Sequence, residues 1–359
     1  MALRSAWKEQ DEDRASLATA YRDLDDKQTR TEKALAEAKA FIDLTDAGDL
    51  NRVSQGLTDI NEAIDEIAFG FVEQLPDAVS AMPIPNDLET LATERAAQGQ
   101  LGALRFLSSF KTSAFDDQPT KLGDVLHSIL KVILCEELNA HLLRPFHLFA
   151  RALLGGGVDL LHEMHQQMRS TGNRVQAAQW RAMSFSAVHS LVTPEEREEL
   201  LRQLTSHLLS TLVRVWYQSD APLLDESTFL QPTAQQILRL VTEGLDWLKL
   251  HRQHYLSTEF DIIFPTSSPS HASVDTLLLF DETTMEQVGG EEMNAELGGG
   301  GGRQVIATLA FGLEQVKLRK GSGGEERTER LPLLKAEVWT ASERKKGRTE
   351  VVEDRRSTP

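Results

Sequence analysis

Two histidine pairs carry a residue spacing that suggests metal chemistry: His162 and His165 in LLHEMHQQM, and His251 and His254 in LHRQHYLSTEF. The first lies close to the HExxH signature of zinc proteases, whose histidines stand one helical turn apart with the glutamate beside them as general base. Here the second histidine comes three residues after the first. On a helix both still share a face, about 60° apart, but Glu163 falls roughly 160° from His165 and cannot join it at one ion. The protease reading therefore fails on geometry. What remains is a pair of two-histidine ridges which, facing each other across a helical bundle, could supply His162, His165, His251 and His254 as four ligands. The plainer reading, which we favour, makes them edge residues. Leu161, Met164 and Met168 form the core stripe with His165 at its margin, and His251 and His254 flank the stripe Ile237, Val241, Leu245, Leu248.

Other candidates have less behind them. The run Gly155–Gly157 precedes a helix but lacks the lysine and Ser/Thr of a phosphate loop and follows no strand, so it reads as a helix break. No GxSxG occurs, and Cys135 stands next to Glu136 and Glu137, whose charge opposes a thiolate. The basic run at 344–348 is followed by acids and reads as a solvated tail. No catalytic residue and no cofactor is expected, and the chain reads as more a binding protein than an enzyme.

The elements that must position these residues are helices. A seam of alternating fours and threes runs Leu17, Tyr21, Leu24, Gln28, Thr31, Leu35, Ala38, Ile42; a second runs Val53, Leu57, Ile60, Ile64, Ile67, Phe71 and stops before Pro76. The short connection between them predicts an antiparallel, coiled-coil-like hairpin. Capping signatures at Asn86/Glu89, Thr193/Glu196 and Thr233/Gln236 mark further helix starts. Helices are expected near 87–97, 100–111, 121–143, 146–154, 157–170, 173–191, 194–218 and 233–257. The segment from Leu122 to Leu143 is apolar around most of its circumference, as befits a central helix.

After Phe260 the texture changes to Pro, Ser and Gly. Val305 to Lys317 alternates, and Leu333 to Thr340 is a second β-compatible run, which together predict a small hairpin, with a helix as its alternative. The fold class is thus mainly α. Residues 1–80 form the long hairpin, 81–260 a multi-helix bundle, 261–302 a connection, 303–341 a possible β-hairpin or irregular segment, and 342–359 a disordered tail.

Composition bounds the function. A chain of 359 residues with formal charge −17 and one cysteine disfavours nucleic acid and anionic membranes as partners. It has no disulfide framework and no apolar run of membrane-spanning length, which points to the cytoplasm, with the nucleus as alternative. KALAEAKAFIDLTDAGDLNRVSQGLTDINEAIDEIAFGFVEQL, STEFDIIFPTSSPSHASVDTLLLFDETTMEQVGG, QVIATLAFGLEQVK and LPLLKAEVW resemble, in order, segments of a large group of uncharacterised, mainly helical proteins of mushroom-forming fungi. That resemblance implies one architecture, with an ordered connection before the C-terminal runs, and assigns no activity or ligand. The function expected is a non-enzymatic helical scaffold or adaptor, binding a protein partner or itself through the N-terminal helices; the alternative is a metal-binding protein or metal-dependent enzyme using the HxxH pairs.

Overall fold

The computed structural model describes residues 50–81, 83–97, 100, 102–112, 122–145, 157–170, 174–218, 224–255, 259–265, 278–290, 303–320 and 326–342, with 19, 21–22 and 24–33 in a separate N-terminal unit. In that unit, Met1–Leu50, residues 19, 21–22 and 24–33 are helical and are called α1. Gln28 bonds Glu32 at 2.9 Å along its surface. The rest of the expected first seam, the helix near 146–154, Gly155 and Gly156, the run 298–302 and the tail beyond 342 lie outside the described residues.

The second unit begins at Asn51 and is mainly α. Its helices are α2 (Leu50–Glu73), α3 (Asp77–Ser80), α4 (Asn86–Ala97), α5 (Gly102–Thr112), α6 (Leu122–Leu138), α7 (Gly157–Ser170), α8 (Arg174–Leu191), α9 (Pro194–Gln218) and α10 (Gln231–Gln253). The seam of α2 is spent inside this unit: Val53, Leu57, Ile60, Ile64, Ile67 and Phe71 are all buried. Phe71 meets Phe229 edge-on at 4.9 Å and Trp216 at 5.9 Å, and the Trp247 indole Nε1–H donates to the Val53 carbonyl at 2.7 Å. As its composition predicts, α6 is buried nearly all round, from Leu122 through Leu138. It continues into a π turn, Asn139–Leu143, closed by Arg144 N–H on the Asn139 carbonyl at 2.9 Å.

Helix starts follow local chemistry. At α9 the capping box is complete, with Thr193 N–H on Glu196 Oε2 at 2.9 Å and Glu196 N–H on Thr193 Oγ1 at 3.2 Å. The expected start at Thr233 is displaced. Asp225 caps instead, accepting from Thr228 N–H at 2.6 Å, and a π turn Glu226–Leu230 runs straight into α10. Thr233 bonds back to the Phe229 carbonyl at 2.8 Å, so its hydroxyl serves an existing turn.

The C-terminal runs are strands. β3 (Arg303–Ala310) and β4 (Gly312–Lys320) form one arm of a long ribbon, and β5 (Glu326–Leu334) and β6 (Ala336–Ser342) the other, with Val305 opposite Thr340 and Val316 opposite Arg330. The ribbon bends at Phe311 and Lys335, dividing into two three-stranded sheets. β1 (Glu259–Ile263) adds antiparallel to β4, and β2 (Met285–Gly290) adds parallel to β6. At the bend a Cβ on Gly312 would lie 2.5 Å from the Ala336 nitrogen, so only glycine permits the backbones to approach this closely. The turn before β2 is fixed by Asp281, which accepts from Thr283 N–H at 3.0 Å, while Met285 is buried and Phe280 packs against its cluster.

Candidate functional site

The first cleft, about 300 Å³, gathers side chains from α7, α8, α10, the π turn and β1. His162, His165 and His251 all line it, whereas His254, at the end of α10, is exposed and does not. The rotation of α7 differs from the expected one. His165 is buried, and Met164, expected in the core stripe, is 43% exposed. The reason is a polar interior: His165 Nε2 lies 3.8 Å from Glu259 Oε1, and Arg169 pairs with Glu259 Oε2 at 2.9 Å. An imidazole fits such surroundings better than a thioether.

The electrostatics of this cleft oppose a cation. Burial, then the charges of Arg181 and Arg169, pushes His165 down to about 3. Burial, then Arg252 and Arg181, holds His251 well below the usual histidine range. Arg252 donates to the carbonyls of Leu143 at 2.7 Å and Pro145 at 2.6 Å, and Arg181 donates to the Tyr255 carbonyl. These guanidiniums satisfy backbone acceptors and tie the π turn and the end of α10 together, the usual work of buried arginine. Among the described residues, the four histidines do not supply three ligand atoms within 4.8 Å of one another. The four-ligand arrangement is therefore not assembled, because His254 does not line the cleft and four guanidiniums, of Arg144, Arg169, Arg181 and Arg252, do.

A second cluster, absent from the sequence-based expectations, centres on Glu137 of α6. Its carboxylate is buried, and its Oε1 accepts from Arg95 Nη1 at 2.7 Å. Its Oε2 faces His207 Nε2 of α9 at 2.9 Å and His141 Nε2 of the π turn at 3.2 Å. The two rings meet edge-on, 4.8 Å between centroids. Arg95 also approaches Glu136 Oε2 at 3.4 Å, and Glu136 Oε1 accepts the Gly102 N–H at 2.6 Å, at the first residue of α5. No family model, curated protein or solved structure matches the chain. The cluster has to be read from its own chemistry.

Burial works to raise both glutamates, with opposite outcomes. For Glu136 it prevails over Arg95, and the carboxyl sits above its ordinary value. For Glu137 the hydrogen bonds from His141 and His207 and the charge of Arg95 overcome burial, and the carboxyl is held far below the usual range. The Glu137 carboxylate thus meets two imidazoles at one oxygen and a guanidinium at the other. Part of the signal was local: Glu137 and His141 stand four apart, on one side of a helix. Cys135, the neighbour of Glu136, is fully buried; burial above all pushes its thiol up, and its Sγ–H reaches the Leu309 carbonyl at 3.4 Å. It packs, and offers no nucleophile.

Proposed function

We propose that the protein is a non-enzymatic helical scaffold or adaptor that acts by engaging a partner protein's helix along the seam of α1. One observation carries this reading. Tyr21 and Leu24, consecutive apolar members of the first seam, are 70% and 64% exposed, whereas the equivalent stripe of α2 is buried throughout its own unit. A lone exposed apolar residue is ordinary; two in register on one helix are the pattern that a helical partner reads by knobs-into-holes packing. The acidic balance of the chain favours protein contacts over nucleic acid or anionic lipid. Among the described residues no helix is long and apolar enough to cross a membrane. A cytoplasmic setting, with the nucleus as alternative, accords with the single buried cysteine.

The test is cross-linking in native cell extract followed by mass spectrometry, comparing the full chain with a Tyr21→Glu/Leu24→Glu variant. A single partner linked through Lys27 or Lys33 in the parent and absent from the variant supports the reading. Light scattering that shows a dimer broken by the same variant would make the occupant a second copy. If the parent chain is monomeric and the cross-links are unchanged by the variant, the reading fails.

A further inference from the structure

Three side chains, from α6, the π turn that follows it and α9, converge in the second cluster with the donor set of a transition-metal centre. One ligand atom each of Glu137, His141 and His207 lies within 4.8 Å of the other two, the only such trio of His, Cys, Asp or Glu side chains among the described residues. We propose that Glu137, His141 and His207 bind one divalent first-row transition-metal ion, zinc being the reference case, with its remaining coordination position open to solvent.

The distances fit. Zinc bonds of about 2.0–2.2 Å in a tetrahedron place neighbouring ligand atoms roughly 3.3 Å apart. The two carboxylate-to-imidazole separations are 2.9 and 3.2 Å. An ion enters by letting the imidazoles retreat a few tenths of an ångström, and they have the room: their side chains are 44% and 46% exposed. Glu137 does not need to move. Arg95 fixes its other oxygen, as an outer partner orients a metal-binding carboxylate in known sites. Two imidazoles with one carboxylate favour zinc, cobalt or nickel over magnesium or calcium, which prefer all-oxygen shells.

The arrangement also has an explanation without metal. A buried carboxylate seeks donors, and the two ring nitrogens supply N–H groups to one oxygen. The two explanations differ in what they demand of the imidazoles. As hydrogen-bond donors either can be lost with the other retained, and no ion follows; as ligands both are required. Metal binding also shifts each ring proton from Nε2 to Nδ1, since a coordinating nitrogen must be deprotonated.

Isothermal titration of the full chain with Zn²⁺, after chelator treatment and dialysis, decides between them. The expected result is one ion per chain, with affinity lowered about tenfold or more in His141→Ala and in His207→Ala and unchanged in His254→Ala. Both substituted residues are half-exposed, so the variants are expected to fold, which circular dichroism checks. Co²⁺ in place of Zn²⁺ should give visible absorption bands that the His141→Ala/His207→Ala double variant lacks. Binding of less than one ion per chain, or Zn²⁺ affinity and Co²⁺ bands unaltered in folded His141→Ala and His207→Ala, would overturn the proposal. The α1 reading stands or falls separately, since no α1 residue enters this test.

Discussion

The side chain of Asn61 closes both backbone hydrogen bonds of Phe311: its Nδ2 donates to the Phe311 carbonyl and its Oδ1 accepts from the Phe311 N–H, each at 2.9 Å. Phe311 is the residue between β3 and β4 where the ribbon bends, so neither group has a ladder partner. An asparagine is the side chain that presents one donor and one acceptor side by side, as a neighbouring strand would. α2 thereby substitutes for a strand at the corner of the sheets.

Asn61→Ala should therefore leave two backbone groups at this corner unpaired and cost about 2–4 kcal/mol. Asn61→Asp should recover only part of that, because it accepts from the N–H but sets a carboxylate against the carbonyl. Urea unfolding monitored by tryptophan fluorescence measures both. A loss below about 0.5 kcal/mol for the alanine variant would mean that water or a shifted backbone satisfies Phe311 instead.

Gly56 presents the opposite situation, a helical glycine where alanine should be worse. Helix propensity alone favours alanine by about 1 kcal/mol. A Cβ there would stand 2.7 Å from Trp247 Cδ1, and the indole cannot swing away without breaking its bond to the Val53 carbonyl. Gly56→Ala should destabilise the fold by up to about 2 kcal/mol, an overpacking cost of about 1–3 kcal/mol less the propensity gain of about 1 kcal/mol, and so lower the melting temperature. A melting temperature raised by the substitution would show that the α2–α10 contact has slack.

The buried histidines set an acid limit on stability. In the folded chain His165 resists protonation until about 3, against 6.5 for the ordinary residue, whereas in the unfolded chain it takes a proton near 6.5. Its stabilising contribution is complete above that value and is lost as pH falls through the interval. His251, shifted the same way, acts in the same direction. Denaturation of His165→Gln between about pH 6.5 and 4 should thus show a shallower decline than the parent, the difference being on the order of 2–3 kcal/mol. Parallel curves would indicate that water reaches the His165 ring.

The helices were readable because their signals are local. The α2 seam, the Thr193–Glu196 box and the all-round apolar α6 each depend on residues within a turn or two. The first arm of the ribbon was readable from alternation, and the second only in part, since the β-compatible run Leu333 to Thr340 covers β6 but misses most of β5 (Glu326–Leu334). β1 and β2 were not, since EFDII and MEQVGG are short and lie in Pro/Ser/Gly texture, and their pairing is decided by β4 and β6 many residues later. The same holds for the clusters. Met164 and His165 compete for the inward position on α7, and the winner is chosen by Glu259 on one of those unreadable strands. Glu137 and His141 could be placed on one face from spacing alone, but His207 joins them from α9 without any local mark.

The Asn61–Phe311 contact spans 250 residues, and this bears on how the chain is made. While the ribosome is still adding the ribbon, α2 has already emerged with an asparagine whose partner does not yet exist, and α6 has no Leu309 carbonyl for Cys135. Domains rich in such distant pairings fold slowly, because loop closure must precede the contacts that reward it. The helices can form during synthesis, yet their shared core closes only after the last strands arrive, so a chain cut short before β3 would keep that apolar surface open to chaperones.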